Sequence, residues 1–423
     1  MEMRAGYKLT EVGLIPESWR ICQFTEVTDL ITCGIAATPS YVSEGQGFPF
    51  LSSTNVKNGK IYWRDFKYIS SDLHRQLYRN NPPQKGDILY SRVGTIGEAA
   101  VVEVDFEFSV YVSLTLIKPK KNLHSYFLMQ LLNSLPFKAR AREQVYLGGG
   151  VGNLNVDVVR RYPIPLPSLE EQRAIALALS DMDALISGLD QLIAKKCGIK
   201  QAAMQQLLTG KQRLLGFNGK WEVTRLEELA SFLKGKGLPK SELSLSGIDP
   251  CIHYGELFTQ YPETIREVIS RTTGSKDAFR SIANDVLMPT SDVTPRGLAK
   301  ASCVTISGVI LGGDILVIRS DAKKIDGSFL SYVIRHNEDQ ILQLVSGSTV
   351  FHLYGSDMKK FIFSMPPLPE QTAIATILSD LDSEITILET RRDKARQLKQ
   401  GMMQELLTGR IRLSQSSPEA KVC

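Results

Sequence analysis

The chain has 423 residues, 43% of them hydrophobic and 22% charged, with a formal net charge of +5. This composition indicates a globular protein with ample core and, by length, two to four domains. No apolar run approaches a membrane span, and the N-terminus lacks the basic-then-apolar order of a signal peptide, so we expect a cytoplasmic protein without membrane contact. The scattered cysteines have no CxxC and no companion histidines at ligand spacing, which argues against disulfides and against a metal site.

The charge is unevenly distributed along the chain. Residues 1–165 carry 19 basic and 15 acidic side chains, while the segments after them are close to neutral. Proteins dedicated to nucleic-acid binding usually show a clear basic footprint. Charge alone therefore does not predict a nucleic-acid partner here.

Residues 1–165 are predicted to form a first α+β domain with a polar N-terminal lead-in that contains Pro16 and Trp19. Turn residues separate short β-rich runs, and a helical stretch, a glycine-bearing loop and a proline-rich hinge follow them. The β-rich runs are 49–52, 88–91, 101–103 and 114–118, the helical stretch is 125–135, and the glycine-bearing loop is 148–153.

Residues 166–211 predict one long helix, which opens with the capping box Ser168-x-x-Glu171 and ends at the left-handed position Gly210. Apolar residues recur at alternating steps of four and three, which is the seam of a helix that faces one partner helix. These seam residues are Ile175, Leu179, Met182, Ile186, Leu189 and Ile193. A helix from residue 172 to 208 would be ~55 Å long.

The same order then repeats along the chain. Residues 212–365 predict a second α+β domain, with β-rich runs at 251–254, 286–288, 303–306 and 315–319 and a helical stretch at 328–337. Residues 366–413 predict a second long helix with the seam Ile374, Leu378, Leu381, Ile385 and Leu388, and residues 414–423 a disordered tail. The segment 371–413 repeats the segment 172–214 without a gap at 21 of 43 positions, so the chain contains an internal repeat with pseudo-twofold character.

The two helices are expected to pair antiparallel. A domain of this size spans roughly 40 Å, so it would have to carry the chain back over the whole ~55 Å of the first helix if the pair were parallel. In an antiparallel pair the domain leaves and returns at one end. Such a frame is a dimer within one chain and presents two similar surfaces to two copies of a partner.

Together these features carry a family resemblance. Two α+β segments, each followed by a Pro-Leu-Pro hinge, Glu-Gln and a helix that closes in Leu-Leu-Thr-Gly, resemble the specificity subunit of a type I restriction–modification system. The phrase GDILYSRVGTIGEAAVV (86–102) is similar to a recurrent stretch in the target-recognition domains of that family. The second segment departs from it, with Asn284 and Asp285 at the start of NDVLMP.

The resemblance implies an α+β fold in which two target-recognition domains are joined by an antiparallel coiled coil. It implies a non-catalytic, sequence-specific subunit that reads a bipartite, asymmetric target in double-stranded DNA with a fixed gap. Its partners would be two modification (methyltransferase) subunits and restriction (endonuclease and translocase) subunits. The chain would hold no cofactor of its own, with S-adenosylmethionine, ATP and Mg²⁺ on the partners. Two other functions stay open: an adaptor that joins proteins through the coil without reading DNA, and a self-contained DNA methyltransferase.

Candidate DNA contacts are polar residues in loops between the predicted strands, because arginine, lysine and amide groups bond base edges while lysines also neutralise phosphates. In the first domain they are Lys57, Lys60, Arg64, Arg92, Thr95 and Asn153. In the second they are Lys236, Lys240, His253, Tyr254, Ser291, Arg296, Thr349 and His352. Lys200 and Lys399, which share a place in the repeat, mark either a splay of the helices, acids donated by partner subunits, or lysines that reach solvent.

Three patterns suggest catalysis but lack supporting residues. Asn81-Pro82-Pro83-Gln84 has Gln where amino-methyltransferases place an aromatic ring, and no glycine motif for a cofactor precedes it. Asp314 with Asp321-Ala322-Lys323 fits a loose metal-dependent nuclease pattern that arises easily by chance. The cluster 148–152 lacks the Lys-Ser/Thr of a phosphate-binding loop. We therefore assign no catalytic residue.

Overall fold

The structure is a computed structural model that describes residues 5–146, 152–244, 246–273 and 277–413. The chain divides into two compact units, Met1–Gly188 with Arg392–Cys423 (unit 1) and Leu189–Arg391 (unit 2). Within the described ranges, no helix combines the length and the apolar character that crossing a membrane requires. The tail 414–423, predicted to be disordered, lies outside the described residues, as does most of the glycine-bearing loop 148–153.

Unit 1 contains the first α+β domain. Its strands are β1 (Tyr7–Thr10), β2 (Gly13–Pro16), β3 (Arg20–Gln23), β4 (Thr28–Cys33), β5 (Tyr41–Val42), β6 (Phe48–Leu51), β7 (Val56–Lys57), β8 (Lys60–Ile61), β9 (Lys67–Ile69), β10 (Ile88–Ser91), β11 (Ala99–Val101), β12 (Ser109–Val110), β13 (Leu114–Pro119) and β14 (Pro163–Leu166). Its helices are α1 (Ser71–Asn80), α2 (Ser125–Asn133), α3 (Leu135–Glu143) and α4 (Val156–Arg160), and the long helix α5 (Leu169–Leu207) starts here.

Unit 2 contains the second α+β domain. Its strands are β15 (Glu222–Arg225), β16 (Ala230–Lys234), β17 (Asp249–Ile252), β18 (Thr264–Ile265), β19 (Arg271–Thr272), β20 (Asp285–Pro289), β21 (Ser291–Asp292), β22 (Ser302–Val304), β23 (Ile310–Leu311), β24 (Ile315–Ser320), β25 (Ser346–Gly347), β26 (Phe351–His352) and β27 (Ile362–Met365). Its helices are α6 (Glu256–Thr259), α7 (Gly327–His336), α8 (Glu338–Leu344) and α9 (Gly355–Met358), and the long helix α10 (Leu368–Leu406) starts here. Short 3-10 helices lie at Phe24–Glu26, Ser53–Asn55, Leu226–Glu228, Lys240–Glu242 and Pro295–Ala299.

The central sheets of the two domains have the same strand order. In unit 1 the order is β11-β10-β13-β4, and in unit 2 it is β22-β20-β24-β16 with β18 added beyond β22. Strands β10 and β20 are buried along their whole length, as expected for central strands covered on both faces. The predicted β-rich runs overlap β6, β10, β11 and β13 in unit 1 and β17, β20, β22 and β24 in unit 2, and the helical stretches 125–135 and 328–337 overlap α2 and α7. This overlap confirms the repeat of two α+β domains.

The second segment has NDVL where the first has GDIL, but the backbone conformation at the first of these positions is the same in both domains. Gly86 and Asn284 each precede a central strand with a left-handed backbone, φ +92° and +82° respectively. Asparagine tolerates this conformation better than other non-glycine residues. The Asn284 side chain also accepts a bond from the Gly327 amide and donates to the Ile325 carbonyl, so it links the start of β20 to the start of α7.

In each unit the segments of α5 and α10 run antiparallel. In unit 1, Glu171 and Asp183 of α5 pair with Arg412 and Lys399 in the opposite order along the chain. In unit 2, Lys200 and Arg213 pair with Asp382 and Glu370 in the same reversed sense. The predicted antiparallel pairing is therefore confirmed in both units.

The seam residues face the interior of these pairs. Ile175 and Leu179 share a core with Leu406 and Leu407 in unit 1. The repeat-equivalent Ile374 and Leu378 share a core with Leu207 and Leu208 in unit 2. Leu189 and Ile193 are buried, and Met182, Ile186, Leu381, Ile385 and Leu388 are half-buried.

Candidate nucleic-acid interface

Hydrogen bonds bring several candidate loops of the first domain together. Thr95 donates its hydroxyl to the Ser53 carbonyl at 3.2 Å, and the Asn58 amide donates to Glu98 at 3.0 Å. Asn58 and the glycine after it have positive φ and form the turn between β7 and β8, which carry Lys57 and Lys60 as ladder partners. The loops 53–60 and 92–98 therefore form one surface.

Lys57, Lys60 and Arg64 on this surface differ in whether their side chains contact the rest of the unit or extend into solvent. Lys57 is exposed, and the guanidinium of Arg64 lies over the Tyr62 ring at 5.6 Å. Lys60 donates to the Ser187 hydroxyl of α5 at 3.1 Å. Lys60 thus touches the long helix of its own unit, whereas Lys57 and Arg64 extend toward solvent.

Arg92 is placed differently from the expected solvent-facing loop residue. Its side chain is buried and donates to the carbonyls of Leu154 and Val112 at 2.9 and 3.0 Å and to the side-chain oxygen of Asn153 at 2.8 Å. A buried guanidinium must satisfy its donors internally, because an unpaired buried charge is strongly unfavourable. Arg92 therefore ties the loop that contains Thr95 to the segment that contains Asn153, and its donors are used within the domain.

The candidates of the second domain fall into two groups. In the first, Lys236 and His253 flank the same turn: the Lys236 amide donates to the Leu311 carbonyl, and the Gly312 amide donates to the Ile252 carbonyl. The His253 ring accepts from the Gly255 amide at 3.2 Å and lies 4.7 Å from the Tyr254 ring. Lys240 is exposed on the 3-10 helix that follows Pro239.

The second group surrounds a small sheet of β21, β26 and β25. Ser291 and His352 are ladder partners, and Thr349 is exposed in the connection between β25 and β26. Arg296 is exposed and lies 3.5 Å from Glu338 of α8. A groove beside Ser291 and His352 is also lined by Lys234, Asp314, Tyr354 and Lys359, which the sequence analysis did not include among the candidate DNA contacts.

Two of the three patterns that suggested catalysis lie on described residues, and neither forms a site; the cluster 148–152 lies almost wholly outside the described residues. Asp314 precedes β24 and Asp321 follows it, so six strand residues, roughly 20 Å, separate the two carboxylates. The Pro82 carbonyl accepts from Lys118 and the Gln84 amide donates to Asp87, so residues 81–84 lie in the connection between α1 and β10 and lead into the turn Gln84–Asp87. Among the described residues, no group of three or more histidines, cysteines or acids could hold a metal ion.

Each domain is fastened to the start of a long helix by the same glutamine. Gln172 accepts from the His124 amide and donates to the Asn122 carbonyl. Gln371 accepts from the Asp326 amide and donates to the Lys324 carbonyl. Both glutamines are buried and precede the seam, so they fix the first turn of α2 or α7 against α5 or α10.

A second repeated contact joins a tryptophan, a buried glutamate and an arginine. Glu171 accepts from Trp19 at 3.1 Å and from the Arg412 guanidinium at 2.6 and 2.8 Å. Glu370 accepts from Trp221 and Arg213 in the same way. Two-pronged arginine–carboxylate bonds have a fixed geometry, so they hold each helix end in one orientation.

The third repeated contact involves Lys200 and Lys399. Lys399 binds both oxygens of Asp183 at 2.7 Å, and Gln130 of α2 donates to the same carboxylate. Lys200 binds Asp382, which also accepts from the Tyr332 hydroxyl at 2.6 Å. The acids that pair with these lysines come from this chain: Asp183 and Asp382 lie on the opposite helix, and Glu263 lies in the second α+β domain. Of the three alternatives for these lysines, acids from partner subunits are therefore not needed to explain them.

Burial dominates the electrostatics of the Asp382 contact. Desolvation raises the pKa of Asp382, although its bonds from Lys200 and Tyr332 act in the opposite direction. Glu263, 3.3 Å from the Lys200 ammonium, adds a second negative charge. This lysine therefore compensates two acids in a weakly hydrated site.

Comparisons with known proteins agree with this architecture. The sequence model of a family described as "Type I restriction modification DNA specificity domain" matches residues 16–195 and 218–397. The MjaVIII type I restriction enzyme specificity subunit of Methanocaldococcus jannaschii is 24% identical over 94% of this chain and 94% of its own length. The StySPI type I restriction enzyme specificity subunit of Salmonella potsdam is 22% identical over 95% of this chain and 90% of its own.

A solved structure shares the fold. The crystal structure of the type I restriction–modification system S subunit from M. genitalium superimposes with a TM-score of 0.64 over 96% of this chain and 98% of that chain, at 14% identity. Each match in the family comparison covers one α+β domain and most of one long helix, so the sequence repeat and the structural repeat coincide.

Proposed function

Since the chain belongs to the family of type I restriction modification DNA specificity domains, we propose that it reads DNA for a type I restriction–modification complex. The observation that carries this proposal is the duplication itself: two copies of the specificity domain, each built from one α+β domain and one long helix. Each α+β domain reads one half of a bipartite target, and the paired helices hold the gap between the halves constant.

The two half-targets differ in sequence. The central sheets have the same order, but the polar loops around them carry different side chains. The loops of the first domain carry Lys57, Thr95 and Asn153. In the second domain, Ser291 and His352 are ladder partners on a small sheet. Side chains with different donors and acceptors select different base edges, so the whole target is asymmetric.

The chain recruits its catalysts and carries out no reaction itself. The duplicated helices and domains offer two similar surfaces, which suits the binding of two copies of one modification subunit. Restriction subunits attach beyond them. S-adenosylmethionine, ATP and Mg²⁺ bind to these partners.

Methylome sequencing tests the proposal. A host that carries this gene with its modification partner should methylate a two-part motif with a constant gap, and deletion of this gene alone should abolish that methylation. An assembled complex that protects no defined DNA sequence would favour an adaptor that only joins proteins. Saturable binding of S-adenosylmethionine by the isolated chain, measured by calorimetry, would favour a self-contained methyltransferase.

A further inference from the structure

A groove with polar and charged lining residues lies beside the small sheet of unit 2. It has a volume of about 530 Å³ and is lined by Lys234, Ser291, Asp314, His352, Tyr354 and Lys359. Phe232 and Leu316 form its apolar floor. Gly355 permits this packing, because a Cβ atom there would lie 2.8 Å from the Phe232 Cβ.

Asp314 differs from the other acids near this groove in its hydrogen bonding. The neighbouring Asp292 accepts from the Val293 amide and the Thr294 hydroxyl, and Asp357 accepts from the Tyr354 amide. In the described part of the chain, the Asp314 carboxylate has only the Lys234 ammonium at 3.7 Å, beyond hydrogen-bonding distance. Its side chain is 52% exposed, so its oxygens remain available as acceptors.

The other polar groups of the groove are also available. The hydroxyl of Ser291 and the ring nitrogens of His352 have no hydrogen-bond partner within the described ranges. The centroid of the His352 ring lies 6.0 Å from that of the Tyr354 ring, and the two rings are nearly parallel. Lys359 is exposed and forms no ion pair with the described residues. The groove thus places one carboxylate, which accepts no hydrogen bond from the described residues, beside two lysines.

This arrangement restricts what the carboxylate can contact in a DNA complex. Phosphates repel a carboxylate, so Asp314 must face base edges while the lysines lie near the backbone. In the major groove, only cytosine N4 and adenine N6 offer amino donors, whereas guanine O6 and N7 and thymine O4 are acceptors. Guanine and thymine would therefore place acceptor atoms against this acid.

We propose that Asp314 accepts a hydrogen bond from the exocyclic amino group of a cytosine or adenine in the half-target read by unit 2, with Lys234 and Lys359 on the flanking phosphates. This inference rests on the proposed function. It assigns one base position to Asp314, which the sequence analysis connected only with a chance nuclease pattern.

Competition binding tests the assignment with the complex assembled from this chain and its modification subunits. Duplexes that carry each of the four bases at every target position compete with the natural site. Asp314→Ala should reduce discrimination against guanine and thymine on the order of 10-fold at one position of one half-target. Asp314→Asn, which keeps the shape of the side chain, should also tolerate these bases because an amide can donate to their acceptors. Glu267→Gln, an exposed acid outside the groove, is the control and should leave every position unchanged.

The outcomes separate this inference from the proposed function. If the wild-type complex prefers no sequence, the proposed function fails. If the wild-type complex has a defined target and both Asp314 variants discriminate as it does at every position, only the assignment of Asp314 is refuted. A change that falls in both half-targets would refute it equally.

Discussion

Lys200 shows how one polar residue on an apolar seam stabilises the pairing of two helices. Its ammonium group meets Asp382 and Glu263, and the side chains of all three residues are less than a fifth exposed. Removing the lysine would leave Asp382 without its compensating cation, and Glu263 would keep only its ion pair with Arg335 at 3.9 Å. A lone buried charge costs more than an intact pair contributes, so the loss should be large.

We predict that Lys200→Met lowers the free energy of unfolding by about 3 kcal/mol at neutral pH. Because burial raises the pKa of Asp382 in the folded state, the folded chain binds a proton there more readily than the unfolded chain. The variant should therefore recover stability as the pH falls from neutral through the raised pKa toward the ordinary Asp value, as measured by urea unfolding at several pH values.

Lys196→Met is the matched control. Lys196 pairs with Glu384 on the same two helices, but the Glu384 side chain is 52% exposed. Exposed pairs contribute between about 0 and 1 kcal/mol, so this variant should change little at any pH. Equal losses in the two variants would show that the Lys200 contact is an ordinary surface ion pair.

Gly409 and Gly210 end their helices with the same left-handed backbone, φ +69° and +67°. Alanine at either position should cost about 1 kcal/mol for that conformation. At Gly409 the added Cβ would also lie 2.5 Å from Pro16, whereas at Gly210 the nearest atom, on Trp221, is 3.4 Å away. Chemical denaturation should therefore show a loss for Gly409→Ala that exceeds the loss for Gly210→Ala by about 1–3 kcal/mol. Equal losses of unfolding free energy would mean that the hairpin of β1 and β2, which contains Pro16, moves away from the added Cβ at little cost.

Arg92 marks the limit of residue-level prediction from sequence. Nothing local distinguishes an arginine that reaches DNA from one that turns inward, because the carbonyls that bind Arg92 belong to Val112 and Leu154. Those contacts depend on how loops distant in sequence meet. The positions of Gly210 and Gly409 were predictable because a helix end and its left-handed glycine are adjacent in sequence.

At the scale of elements, the long helices and most strands follow from periodicity and repetition. The sequence predicts a helix over 172–208, and the structure places α5 at Leu169–Leu207. The order of strands in the sheets could not be predicted, because it depends on pairings across loops, as between β16 and β24. The bonds made by Gln172 and Gln371 also join segments that no short-range pattern connects.

The two helices should act as a ruler only when both are lengthened together. The boundary between the units falls after Gly188 in α5 and after Arg391 in α10. Four residues inserted at both places add about 6 Å to each helix, which corresponds to one or two base pairs of duplex. Methylome sequencing should show a gap longer by that amount and both half-targets unchanged.

Insertion after Gly188 alone is the comparison. It lengthens the α5 segment between Asp183 and Lys200 but leaves the α10 segment between their partners, Lys399 and Asp382, at its original length. The Asp183–Lys399 and Lys200–Asp382 ion pairs cannot then both form with the helices in register. Methylation should therefore weaken, and the gap should not shift to one longer value. A constant gap in the doubly lengthened chain would show that the helices do not set it.

At the scale of the whole molecule, specificity should be modular. Strand β3 pairs with β14, so residues 24–162 can be exchanged while both strands and the hinge stay native. A chain that carries the equivalent segment of another family member should methylate a motif with one new half and one old half. New sequences in both halves would mean that the two domains do not read DNA separately.

The isolated chain should bind DNA weakly. Its formal net charge is +5 across 423 residues, which leaves few cations to displace counterions from phosphates. Addition of the modification subunits should increase affinity at physiological salt and steepen its dependence on salt concentration. Tight, sequence-specific binding by the chain alone in a gel-shift titration would contradict this.

The division of the chain into units also fixes the order in which a ribosome can complete them. Unit 2 is one continuous segment, Leu189–Arg391, whereas unit 1 needs the residues from Arg392 onward. Until those residues emerge, Ile175 and Leu179 lack Leu406 and Leu407, and Glu171 lacks Arg412. Although domains made first usually fold first, the N-terminal unit of this chain is the last that can be finished. A released chain truncated after Arg391 should therefore contain a protease-resistant second unit and a first unit whose α5 segment is still open to cleavage.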